Sequence, residues 1–268
     1  MIRMTKWLPT TAFLLLAAGT GCGQNEAQPE KVTLAPSASA LAPAKAPTLE
    51  AKKLTIDTAS SKVDFSMDAP QEKIVGHVPG ASKGDLQIDF MDVTKSTGLV
   101  TVDISGIEIF QAKADKDGKF GEEKKVEAQN GHARTWLEIS PDAPEDKRKE
   151  NSKVQFSIKS IEAMGEKNLT KLSGAERKVP LKVTGDFLLH GHKAEKVAEV
   201  EATFKFDGDK PVSVTVKSVK PFSVNLAEHD VKPRDTFGKL ALKTLESLAP
   251  KVARDAMVTL DVTAKSSN

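Results

Sequence analysis

Two histidines two residues apart, His190 and His192, are the pair in this chain whose spacing most suggests chemistry. On a β-strand that spacing puts both imidazoles on one face. With His229 and Asp230 they could offer nitrogen and oxygen ligands to a metal ion. A metal-binding enzyme using His190, His192 and His229 is therefore one reading. Gly191 sits between the pair, however, and His190-Gly191 reads as a turn. Two surface turn histidines account for the same residues. On this preferred reading no metal site, no cofactor, no catalytic residue and no enzyme is expected. His77, beside Pro79-Gly80, and His132, beside Gly131, read as loop residues, and Trp136 as a packing residue. No phosphate loop or HExxH run occurs in the sequence.

Cys22 is the only cysteine, so no disulfide can form within the chain. Arg3 and Lys6 precede a mostly apolar stretch from Trp7 to Ala18, followed by Gly19-Thr20-Gly21. That stretch is shorter than the roughly 20 apolar residues that span a bilayer, and it has the layout of a secretory signal. Residues 1–22 are accordingly expected to be a signal peptide with a lipobox-like end, with Gly19 where that motif usually has Leu. Cys22 is then the acylated residue, which implies export, a periplasmic location and an N-terminal lipid anchor in the bacterial envelope. An ordinary signal peptide cut near Ala18 or Gly21 is the alternative.

Residues 23–50 are rich in Ala, Pro and Ser, and short of the bulky apolar residues a core needs. They are expected to form a disordered tether. Beyond it, charges of both signs are interleaved, as in Glu145-Asp146-Lys147-Arg148-Lys149-Glu150, and the whole chain carries a net +2. A nucleic-acid partner would call for basic residues gathered on one face, so none is expected. These runs read as solvated loops.

The elements that would position any site follow a period of two. Val63, Phe65 and Met67 alternate with polar residues, as do Val100, Val102 and Ile104, then Val154, Phe156 and Ile158. Leu181, Val183, Phe187 and Leu189 share one parity, as do Val200, Ala202, Phe204 and Phe206, and Val258, Leu260 and Val262. Each segment thus offers one apolar and one polar face, the pattern of half-buried antiparallel strands. Phase shifts at Ser105-Gly106 and after Val216 suggest bulges. Pro79-Gly80, Asp117-Gly118, His190-Gly191 and Asp207-Gly208-Asp209 read as turns. From Phe237 to Val252 apolar residues recur at helical spacing instead, which predicts a short amphipathic helix near the C-terminus. Residues 51–268 are therefore expected to form one all-β domain, an extended antiparallel barrel of about eight strands.

Several segments resemble the YceI-like family of bacterial periplasmic lipid-binding proteins. Leu54 to Phe65 is similar to that family's first strand, and Val183-Thr184-Gly185-Asp186-Phe187-Leu188-Leu189-His190-Gly191 to its central hairpin. Phe222-Ser223-Val224-Asn225 and Arg254 to Val262 resemble the two segments that follow. The resemblance spans about residues 53–265. Gln111–Asn130 and Ala163–Lys178 stand out against it as charged loop insertions. It implies a lipocalin-like barrel whose hydrophobic partner is an isoprenoid chain, such as a polyprenyl or quinone-like tail. The lining residues would then be Phe65, Met67, Val102, Ile104, Phe156, Ile158, Phe187, Leu189, Phe204 and Phe206. A filled core, serving a non-enzymatic envelope interaction module, fits the same residues.

Overall fold

A computed structural model describes residues 32–69, 72–232 and 254–266. The chain forms β1 (Lys52–Ile56), β2 (Lys62–Ala69), β3 (Glu72–Pro79), β4 (Ser82–Ile88), β5 (Thr97–Asp103), β6 (Glu108–Lys113) and β7 (Lys124–Lys125). Two helices follow, α1 (Glu127–Trp136) and α2 (Glu145–Asn151). Then come β8 (Lys153–Ala163), β9 (Glu176–Leu189), β10 (His192–Asp207), β11 (Lys210–Ser218), β12 (Phe222–Asn225) and β13 (Asp255–Ser266).

Pairing closes these strands into a ring. The order β1-β4-β5-β8-β9-β10-β11-β13 returns to β1 through Leu54↔Ser266 and Ile56↔Ala264, with every neighbour antiparallel. The result is a closed antiparallel barrel of eight strands, which removes the exposed edge an open sheet would carry. Four further strands lengthen the wall at one end: β2 pairs with β13, β3 with β2, β6 with β3, and β12 with β13.

Two long strands break where an aspartate caps a single turn of 3-10 helix. The side chain of Asp57 accepts from the Ala59 amide between β1 and β2, and that of Asp103 accepts from the Ser105 amide between β5 and β6. The phase shift at Ser105-Gly106 is therefore a helical turn, not a bulge. Register shifts occur instead at Ile158/Ser160 and at Lys205/Phe206. β11 ends at Ser218, and Val219 is exposed in the step to β12. His190 and Gly191 both have positive φ, 50° and 73°, so a tight turn matched to the twist of the sheet joins β9 to β10.

The segments read as charged loops carry structure. Gln111–Asn130 holds the end of β6, β7 and the start of α1, and Glu145–Asn151 is α2. After the β5–β6 break, β6 diverges from β8, and β7 and α1 together cover the edge it turns away from β3. Buried Asn130 accepts from the Ile109 amide at 2.8 Å, satisfying a donor that no strand reaches. In the other segment Leu169 is fully buried. The Phe237–Val252 helix lies outside the described residues, as do residues 1–31.

Residues 32–50 depart from the expected disordered tether. They form a strap along the outer wall. Thr48 donates to Asp89, Thr97 to the Lys45 carbonyl and Ser157 to the Ala42 carbonyl. Leu41 donates to Gln155, and Ala38 to the Gly191 carbonyl. Lys193 donates to the Pro36 carbonyl, and Ala35 to the Glu228 carbonyl. Asp89, Thr97 and Ser157 are polar and buried because the strap seals them.

Candidate ligand-binding cavity

Packing fades along the barrel. On β13 the inward-facing Val262 and Ala264 are buried, whereas Val258 and Leu260 keep accessible surface although they share that face. The change runs around the wall. Leu54, Leu86, Val200 and Val214 are buried near the β1 end, and Phe65, Met67 and Ile74 are half-buried near the β2–β3 end. The β1 end is a solid floor. There Phe90 meets Phe204 and Phe206 edge-on, with ring centroids 6.0 and 5.8 Å apart, and the Arg177 guanidinium lies over Phe206.

Above the floor lies a cavity of about 520 Å³. Its lining is apolar except for Glu72, Ser96, Gln129, His132, Gln155 and the indole of Trp136. That volume falls within the range of about 300–1,000 Å³ typical of small-molecule sites. Phe65, Met67, Val102, Ile104, Phe156, Ile158, Phe187, Leu189 and Phe204 all border it. Phe206 does not. The register shift at Lys205/Phe206 sits where β10 runs below the cavity, and the Phe206 ring joins the floor cluster.

Glycine keeps the lumen open. Phe65 pairs with Gly76, and a methyl group added at Gly76 would overlap the Phe65 ring. The ring lies flat against the wall because its partner has no side chain. The Phe156 ring likewise lies over Gly185, which is paired with Ile158 on the neighbouring strand.

The rim lies beside α1. Gln129, His132, Ala133 and Trp136 line the cavity from this helix, and His132 is solvent-exposed. The His132 and Trp136 rings are parallel, with centroids 6.4 Å apart. His132 is helical and not a loop residue, while Trp136 packs against the core as expected and also borders the cavity. The spacing 129, 132, 133, 136 is that of one helix face and was the available signal. Beside this helix, Gln111 on β6 donates to the Glu72 carboxylate on the paired strand β3.

The chain is a closed, hollow barrel. No family model matches it, and no curated protein matches it. Among solved structures it is similar to a polyisoprenoid-binding domain from Saccharophagus degradans implicated in plant cell wall breakdown. That match has 11% identity, covers 80% of this chain and 98% of that one, and has a TM-score of 0.49. It is also similar to BcnA from Burkholderia cenocepacia, at 14% identity, 78% and 99% coverage and a TM-score of 0.46. Closure of the barrel rests on its own strand pairing.

The histidines first considered as ligands act as fasteners. A carbonyl only accepts, so each Nδ1 facing one donates. His190 Nδ1 donates to the His229 carbonyl at 3.1 Å, His229 Nδ1 to the His192 carbonyl at 2.9 Å, and His192 Nδ1 to the Ala35 carbonyl at 2.8 Å. The chain of bonds ties the β9–β10 turn, the segment after β12 and the strap together. His190 Nε2 also lies 3.0 Å from the Glu138 carboxylate. Of the two histidines read as surface turn residues, His190 is in the turn but buried, and His192 is half-buried; His229 is fully buried. Burial pushes the His229 pKa down from its ordinary 6.5. Among the described residues no three His, Cys, Asp or Glu side chains converge as metal ligands. His77 is a strand residue, 2.7 Å from Asp64 on the paired strand.

Proposed function

We propose that this chain is an exported envelope lipoprotein, acylated at Cys22, that sequesters an isoprenoid-type lipid in its barrel. The observation that carries this reading is the apolar cavity of about 520 Å³. Water gains little in such a space, because it finds few polar partners. A hydrocarbon chain gains about 0.8 kcal/mol for each methylene it buries, so a tail of about ten such groups gains about 8 kcal/mol gross before ordering costs. A carrier of this kind needs no catalytic group. The lining residues named above are its binding surface. The positive start and apolar stretch before Cys22 support export to the periplasm. The filled-core module would require a barrel without an internal cavity, and a cavity is present.

The test is an organic extract of the full chain, produced in a bacterial host and purified from the membrane fraction. Mass spectrometry is expected to show a long-chain lipid in amounts comparable to the protein, and an N-terminal fragment carrying acyl chains on Cys22. Repeated extracts without lipid would contradict the carrier. An unmodified Cys22, or its removal with the signal, would contradict the anchor.

A further inference from the structure

The strap, the position where it leaves the barrel, and the chain between that point and Cys22 together define an orientation. From Thr48 to Ala35 the strap's partners climb the wall in one direction. They begin at Asp89 near the floor, pass Ser157 and Gln155 on β8, and end at Gly191, Lys193 and Glu228. These last partners lie at the cavity's end of the barrel. His190 in the same turn reaches Glu138, just beyond α1, and Leu226 and Val231 beside Glu228 line the cavity. The half-buried strap residues are 35, 38, 41, 45 and 48, mostly three apart, which is the repeat of a polyproline II helix. Beyond Ala35, Leu34 and Val32 are exposed.

We infer that the barrel sits on a lipid bilayer with its cavity mouth toward the membrane, held in that orientation by the strap. The inference rests on acylation at Cys22. Thirteen residue steps separate Cys22 from Ala35, the first strap residue hydrogen-bonded to the barrel, and whatever path they take, they reach at most about 45 Å. The strap from Ala35 to Thr48 spans thirteen steps, about 40 Å at the polyproline II rise. Even at full stretch the anchor's reach therefore barely exceeds the way back to the floor. A floor-first arrangement would have to hold the whole tether near full extension, at a cost in chain entropy, or peel the strap off the wall. A mouth-first arrangement leaves every strap bond in place. It also lets a lipid pass from bilayer to lumen without each methylene crossing water. The partner surface is thus the bilayer itself, and the strap is an orienting arm rather than a loose spacer.

The experiment uses the full chain, purified with its anchor and placed in phosphatidylcholine vesicles that carry a quencher on the lipid headgroup. Cys22 is the only native cysteine, so a fluorophore can be placed at one new thiol. Asp117→Cys labels the turn after β6, at the mouth end, and Asp209→Cys labels the β10–β11 turn at the floor. Loss of emission at Asp117→Cys with none at Asp209→Cys is expected. Ala35→Pro, Ala38→Pro and Leu41→Pro together remove three strap amide donors, and should abolish the contrast while leaving the barrel's circular dichroism unchanged. Equal quenching at both ends, stronger quenching at the floor, or a contrast that survives strap release would overturn the inference alone. Failure of the chain to attach to vesicles would overturn the anchor and the orientation together.

Discussion

At the scale of single residues, the lumen exists because large side chains are laid against the wall. Gly76 gives the Phe65 ring its place, and the three atoms nearest a Cβ there would all be carbons of that ring. Gly76→Ala should therefore swing Phe65 into the cavity, weakening lipid uptake while the chain still folds. Ligand titration beside a melting curve would show it. Leu260→Phe adds bulk where the interior is already hollow, and should likewise reduce uptake with little change in stability. Leu54→Ala, in the fully buried floor, should cost about 2–5 kcal/mol of stability, read by chemical denaturation.

His229 supplies a pH dependence. Its folded-state pKa is lowered by burial, so below 6.5 the unfolded chain takes up a proton that the folded chain resists. This contribution is fully present above that value, and is lost as the pH falls toward the folded pKa. Denaturation at pH 7.5 and 5.5 should show lower stability at the acid pH. His229→Asn should flatten the slope and reduce stability at pH 7.5 by about 1–3 kcal/mol through the disturbed buried bond to the His192 carbonyl. The histidines illustrate the limit of residue-level reading. Their spacing was visible in the sequence, but their partners are backbone carbonyls from distant segments, including the strap, and no side-chain pattern announces a carbonyl.

At the scale of elements, the strands and the tight turns at Pro79-Gly80, His190-Gly191 and Asp207-Gly208-Asp209 were legible, and the longer connections were not. The two-residue rhythm marks β2, β5, β8, β9, β10 and β13, because each has one face on the interior and one on solvent. α1 was hidden by its composition: Gly131 falls inside it, its outer face is polar, and only four of its residues touch the cavity. The strap was hidden for a different reason. Its low apolar content excludes a core of its own, but it needs none, since it borrows the barrel's wall and binds through backbone groups that every residue carries. Ser157→Ala should cost about 1 kcal/mol and speed proteolysis within residues 32–50.

At the scale of the whole molecule, closure was an inference from the number of strands, and the pairing of Ile56 with Ala264 is what establishes it. Strands so far apart in sequence leave no local sign of their contact. Hollowness was beyond sequence altogether. Val262 and Leu260 stand in the same pattern on one strand and both line the cavity, yet one is buried and the other keeps accessible surface. The difference lies in the spread of the wall after the β5–β6 break and in the flat-lying aromatic rings. It is a property of how eight strands meet and not of any one of them.

The claim on which the rest depends is that the hollow end takes up an oily chain, and Trp136 offers a direct reading of it. The sequence has no tyrosine, and its other tryptophan, Trp7, lies in the expected signal, so emission from the processed chain reports a residue on the cavity wall. Titration with a long-chain prenyl alcohol should shift that emission to shorter wavelength, saturably and at one equivalent, with the shift lost in Leu260→Phe. An emission spectrum unmoved by the alcohol, in protein stripped of lipid and still folded, would contradict the account.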